Sequence, residues 1–199
     1  MTELFLYDQD LGLFKQIIKQ STVMDGRYYV VSNTFDINNV ALQLTDQKYP
    51  CVACMPPRSD SPGQNLQSFF FNLLFLTKRG VTGQNEIKDA NPETLISEHP
   101  PWYDWKDMNE CAMGFHQTLR KVLRERRVAD GKPLKGYVSL IGETFTVDRF
   151  SNAGNDIVNG VRLSFSMLGN FGCAVADYDD ACIAEIEIPD LDIHELHKH

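Results

Sequence analysis

From Asp104 to Arg127 the apolar residues Trp105, Met108, Ala112, Phe115, Leu119 and Val122, with Leu123 beside the last, recur at steps of three and four. That spacing lines one face of an α-helix. Glu110, Gln117, Arg120, Lys121 and Arg124 fall on the other face. Asp104 and Asp107 open the stretch and Arg124, Arg126 and Arg127 close it, the order that the helix dipole favours. Pro100 and Pro101 stop any helix from running in, and Asp130-Gly131 provides the exit. Burying one large apolar side chain contributes roughly 1.5–3 kcal/mol. This stripe is the largest apolar face in the chain, and it predicts a helix laid across a sheet.

The remaining pattern supplies that sheet. Leu11 to Gln20 has helical spacing and predicts an N-terminal helix ending near Ser21, with Asp8 or Asp10 as its cap. Met24-Asp25-Gly26-Arg27 is a turn, followed by β-prone Tyr28–Val31. Val40–Leu44 and Tyr49–Met55 are further strands, and 56–68 has the composition of a loop. Phe69–Thr77 predicts a strand buried on both faces. The polar connection 80–101 holds one short helix signal, Asn91-Pro92-Glu93, and connections of that length are commonly functional. Beyond the main helix, Gly136–Ile141, Glu143–Phe150 and Gly160–Leu168 read as strands, with turn residues over 151–159. Apolar and polar residues alternate strictly from Val161 to Met167, the signature of a half-buried strand. The expected fold is α+β. A mostly antiparallel sheet carries the N-terminal helix and the long amphipathic helix on one face. Residues 1–172 form the domain, and 173–199 form a C-terminal extension.

Charge alters this picture at one end. The formal charge is −8, and from Asp177 onward eight acids stand against Lys198 alone, so the body is near neutral and the extension is an acidic arm. Such a chain is a poor general binder of nucleic acid, whose phosphates require cations, and no sequence-specific binding is expected. A local basic patch remains open at Arg120 to Arg127. No apolar run is long enough for a membrane helix, and Met-Thr-Glu-Leu does not begin a signal peptide. Folding in a cytoplasm is therefore expected. Five cysteines without framework spacing read as free thiols.

Candidate chemistry is sparse. Cys51-Val-Ala-Cys54 has the spacing of a redox or zinc half-site, but it lies in a strand, where positions 51 and 54 point to opposite faces. Core thiols are the favoured reading. His194, His197 and His199 sit at the chain's end, with the first two three apart instead of the four a zincin requires. His116 reads as a partly exposed structural histidine with no nucleophile assigned to it. Asp177, Asp179 and Asp180 lack the glycine turn and bidentate glutamate of a calcium loop. There is no nucleophile elbow, Walker loop or dinucleotide fingerprint. No catalytic residue, metal or cofactor is therefore expected. Trp102-Tyr103-Asp104-Trp105 is the densest aromatic cluster. It either closes the helix onto the sheet or forms a contact surface. In the arm, Ile183, Ile186 and Ile188 belong to an apolar, β-prone run. It either folds back or adds to a neighbouring subunit's sheet.

One family shares this order of elements. The N-terminal helix, the strands around Tyr28–Val31, Val40–Leu44 and Tyr49–Met55, the amphipathic helix and a hairpin ending Gly160-Val-Arg-Leu-Ser-Phe-Ser-Met resemble one group of phage proteins. These are the tail terminator and tail-completion (neck) proteins of long-tailed bacteriophages, of the type found in phages and prophages of the Bacteroides group. The likeness spans roughly residues 10–170 and rests on topology more than on fixed residues; the segment 80–101 and the arm depart from the short members. It implies a non-enzymatic virion protein that assembles in the host cytoplasm into a ring, commonly six-fold. The ring caps the tail tube and meets the head–tail connector, so its partners are tail tube and connector proteins. Its contact surfaces are then the loops at 56–68, 80–101 and 151–159 and the acidic arm. Read from the residues themselves, the candidate interface is Trp102, Tyr103, Trp105, Arg120 and Arg124 of the helix with Ile183, Ile186 and Ile188 of the arm. A head-side connector or stopper, or another interaction module, is the alternative; a small metal or redox protein using Cys51, Cys54 and His116 is the third.

Overall fold

Two long strands carry the sheet. The computed structural model describes residues 6–31, 49–63, 66–78, 101–125, 137–142, 145–153 and 158–170. Within it β4 (Leu66–Lys78) and β7 (Val158–Asn170) pair antiparallel along their whole length, from Leu66 opposite Asn170 to Lys78 opposite Val158. Side chains alternate between the faces of a strand. Phe69, Phe71, Leu73 and Phe75 therefore share one face with Val161, Leu163, Phe165 and Met167, and together they form the floor of the main core.

Each long strand is flanked by two shorter ones in succession. β2 (Cys51–Cys54) pairs with Leu73–Leu76, and β3 (Arg58–Gly63) pairs with the start of β4. Met55 extends the ladder by donating to the Asn72 carbonyl at 3.0 Å. Pro56 and Pro57, which have no N–H to give, then interrupt it. On the far side of β7 lie β6 (Thr146–Ala153) and β5 (Tyr137–Leu140). The outermost strand, β1 (Tyr28–Val30), runs parallel to β2, and every other pairing in the seven-stranded sheet is antiparallel.

Both helices pack on the same face. α1 (Leu13–Ile18) buries Leu13, Phe14, Ile17 and Ile18. The Phe14 ring meets Phe71, Phe165 and Phe115 with centroids 4.9, 5.7 and 5.6 Å away, so it touches both the sheet and the second helix. α2 (Pro101–Glu125) buries Met108, Ala112, Phe115, Leu119, Val122 and Leu123, the expected stripe. Pro101 takes its first position, where a missing N–H is harmless. The fold class read from the sequence is thus the observed one.

Several boundaries differ. The segment 56–68 is not a loop: Arg58–Gly63 is β3, and β4 begins at Leu66. Turn-prone composition yields here because β4 is long enough to offer a ladder. An edge strand also tolerates Pro62, and the register shifts between Asp60 and Gly63. In the same way, a register shift after Phe150 lets β6 continue to Ala153, shortening the loop expected at 151–159. The N-terminal helix is shorter than Leu11–Gln20, and Leu11 is 78% exposed, outside the core. Asp8 closes the turn before that helix, accepting from the N–H groups of Asp10 and Leu11 at 2.9 and 2.7 Å, and these bonds lower its carboxyl pKa. Gly12 is the N-cap itself.

Burial on both faces holds for only part of the strand predicted at 69–77. Leu74 and Leu76 join Val31, Cys51, Ala53, Met55, Ala153 and Val158 in a second cluster on the opposite face. Nearer the start of β4, Phe70 on that face is 43% exposed. Val40–Leu44, the helix signal at 91–93 and the arm 173–199 lie outside the described residues. No helix among the described residues is long and apolar enough to cross a membrane.

Candidate interaction surface

The first turn of α2 divides its aromatic cluster between two directions. A residue two positions along an α-helix is turned by about 200°. Trp102 and Asp104 therefore point opposite ways. Asp104 is fully buried and accepts a hydrogen bond from Asn159 Nδ2 of β7 at 2.6 Å. Trp105, half-buried, donates its indole N–H to the Phe150 carbonyl of β6 at 2.7 Å. These two bonds pin the start of the helix to the last hairpin. Trp102 and Tyr103 turn outward, 58% and 56% exposed, with their rings 6.1 Å apart.

The cluster is therefore divided between an inward-facing and an outward-facing part. Trp105 closes the helix onto the sheet, and its N–H has an inward acceptor. Trp102 and Tyr103 remain as an exposed aromatic pair. Arg120 and Arg124 are exposed on the outer face of the same helix. Arg120 is five turns beyond Trp102, and so at the same azimuth about 27 Å away. Ile183, Ile186 and Ile188 lie outside the described residues.

Sequence reasoning missed a cleft between α1 with its following turn and the flank of α2. It has a volume of about 730 Å³. Ile17, Met24, Phe75 and Phe115 give it an apolar floor, and Val23, Asp107 and Glu110 stand among its walls. Gly114 of α2 also lines it, and a Cβ placed there would meet no atom of the described residues within 4 Å. Glycine in a helix interior is unfavourable, so Gly114 was the available signal. That signal is weak, because nothing in the sequence places α1 beside it.

The thiols and imidazole do not converge. Cys51 belongs to the second cluster and Cys54 to the main core, on opposite faces of β2 as its alternation requires. Burial pushes both thiols up to about 12. Cys111, half-buried on the cleft side of α2, is pushed up to about 11 by burial and then by Asp107 and Glu110. His116 is not partly exposed: at 3% exposure it lies under the Phe145 ring, centroids 4.2 Å apart, with Phe165 beyond. Burial, then the Arg120 charge, lowers its pKa, so the neutral imidazole is the native form. Among the described residues no three His, Cys, Asp or Glu side chains gather as a metal site. His194, His197 and Asp177, Asp179 and Asp180 lie outside the described residues.

Fold and surface together define an α+β domain that displays an aromatic pair and an apolar cleft on one long helix. The chain matches no protein-family model, and no curated protein is significantly similar to it.

Proposed function

We propose that this chain is a non-enzymatic structural subunit of the tail–head junction of a long-tailed bacteriophage. It is a tail terminator or neck ring protein that caps the tail tube and meets the connector. The observation that carries this reading is the layering. A short helix, a strand group, one long helix and a closing strand group put both helices on one face of a mostly antiparallel sheet. This layering supports the resemblance in its N-terminal helix, its strands at Tyr28–Val30 and Cys51–Cys54, its long helix and its closing strands; Val40–Leu44 lies outside the described residues. The exposed pair Trp102 and Tyr103 supports it, since tryptophan and tyrosine dominate the energetics of protein contacts. A closed ring requires each subunit to present two different, mutually fitting patches. On this reading the partners are further copies of the chain, the tail tube protein and the connector; the place of action is the virion, after assembly in the host cytoplasm. The test is a phage from which this gene is deleted. Unjoined heads, with tails of irregular length, are expected; full-length tails joined normally to heads refute the assignment.

The cleft favours a second reading, an interaction module that binds a soluble partner outside any virion. Its volume of about 730 Å³ lies in the range of ligand-binding cavities. The identity of the neighbouring genes discriminates: portal, tail tube and tape-measure genes alongside would favour the first reading, and their absence the second.

A further inference from the structure

We propose that the acidic arm 173–199 docks on the basic outer face at the end of α2 of its own chain. Of the two fates open to the arm, this is folding back, and it is independent of the tail assignment. In the second half of α2, residues 113–125, the charged residues are Arg120, Lys121, Arg124 and Glu125, all exposed. Arg120 and Arg124 are four apart and Lys121 and Arg124 three apart, so like charges are neighbours on the helix surface and repel one another. Among the described residues neither Lys121 nor Arg124 forms an ion pair. An anionic segment laid along this face relieves the repulsion. The arm is that segment, with eight acids from Asp177 to Glu195 against Lys198 alone.

The fold brings the root of the arm to the same end of the molecule. α2 and β7 advance in one direction: Asp104 meets Asn159 near their starts, and Phe115 meets Phe165 further on. From Asp104, Arg124 is twenty residues along the helix, about 30 Å. From Asn159, Asn170 is eleven residues along the strand, about 37 Å. The basic turn therefore stands nearly level with the last residue of β7, where the arm's side of the chain departs. β5, which pairs with Met167–Asn170, also packs against α2. Asp177 follows Asn170 by seven residues, a reach of up to about 23 Å, so the first acid can span the step from sheet to helix. So short a tether holds the arm near this face at an effective concentration on the order of millimolar, ahead of any free anion.

Paramagnetic broadening in the full chain is the test. Cys182 lies among the arm's acids and takes a nitroxide label once Cys111→Ser and Cys173→Ser are in place; Cys51 and Cys54 are fully buried and stay unlabelled. Amide signals of residues 117–125 should broaden most. Those of residues 102–105, about 30 Å back along the helix, should stay sharp. Lys121→Glu with Arg124→Glu should abolish the broadening, and so should 1 M salt, which shortens the screening length to about 3 Å. Should the helix variant lose cooperative melting, Asp177→Asn, Asp179→Asn and Asp180→Asn on the arm replace it, and weaker broadening is again expected. Three results would each overturn the proposal: broadening absent from 117–125, broadening that survives charge reversal and salt, or equal broadening of an unlabelled chain mixed with labelled ones, which would place the arm on a neighbour. A normal deletion phage leaves a measured arm contact standing, and an arm that does not dock leaves the tail assignment intact.

Discussion

Phe14 is the residue on which the attachment of α1 can be measured. It is fully buried, and its ring sits edge-on to Phe71 at 4.9 Å and to Phe165 and Phe115 at 5.7 and 5.6 Å. Phe14→Ala removes the ring from a site closed on three sides, a truncation that costs about 3–5 kcal/mol. Phe14→Leu keeps most of the buried volume and loses mainly the ring geometry, about 0.5–1.5 kcal/mol per aromatic pair, with the pairs not additive because they share one ring. Its effect should fall between about 1 kcal/mol and that of the alanine variant. Whole domains are stable by only about 5–15 kcal/mol, so the alanine variant loses a large share. Urea unfolding followed by far-UV circular dichroism reads this directly. With a slope near 2 kcal/mol per molar, a loss of about 4 kcal/mol moves the midpoint down by about 2 M. The order wild type, leucine, alanine at constant slope is the expected result. An alanine variant within about 1 kcal/mol of wild type would mean that α1 is not seated on the sheet, and the cleft would lose its wall.

Three further outcomes follow from the same geometry. Gly114→Ala puts a methyl group where no atom of the described residues lies within 4 Å and removes a helix-interior glycine, so stability should rise by about 0.5–1 kcal/mol and the melting temperature by about 1–4 °C; a fall would mean that the space is occupied. Cys51 and Cys54, held near 12 by burial, present about one thiolate in ten thousand at pH 8, so in the native protein both should resist thiol reagents that label them at once in urea. For His116, whose folded-state pKa is depressed, the unfolded chain binds the proton more readily. Its contribution is therefore fully present above the ordinary histidine value near 6.5 and is lost as pH falls through the folded value. Stability between pH 7.5 and 5 should decline more steeply in the wild type than in His116→Phe, and parallel curves would contradict the buried neutral ring.

The legible part of this fold was whatever a single element's periodicity determines. The α2 stripe from Met108 to Leu123 and the alternation from Val161 to Met167 each identify an element and its buried face without outside help. β3 was illegible because Ser59, Asp60, Ser61, Pro62 and Gly63 have the local chemistry of a turn, and only the length of β4 makes them a strand. Exposure within the aromatic cluster was half legible. The helix turn separates Trp102 from Asp104, but the acceptor that draws Trp105 inward is a carbonyl 45 positions away. The cleft depends on where α1 sits relative to α2, a tertiary relation that periodicity does not encode. His116 was misjudged for the same reason: its cover, Phe145, belongs to a different segment.

The buried half of the α2 start bears on the exposed half. Asp104 held by Asn159, and Trp105 held by the Phe150 carbonyl, fix the backbone from which Trp102 and Tyr103 project. A ring presented from a fixed helix turn loses less freedom on docking than one presented from a frayed end, so these inward bonds should strengthen a contact they never touch. Asn159→Ala tests this. It removes a buried hydrogen-bond donor from Asp104, and the loss of stability should be about 1–3 kcal/mol. If the first turn then frays, amide exchange at residues 102–105 should accelerate more than across Met108 to Leu119, and the self-association expected of a ring subunit should weaken although Trp102 and Tyr103 are unaltered. Faster exchange with undiminished association would show that the aromatic pair docks equally well without its anchor, and preorganisation would have no part in the contact.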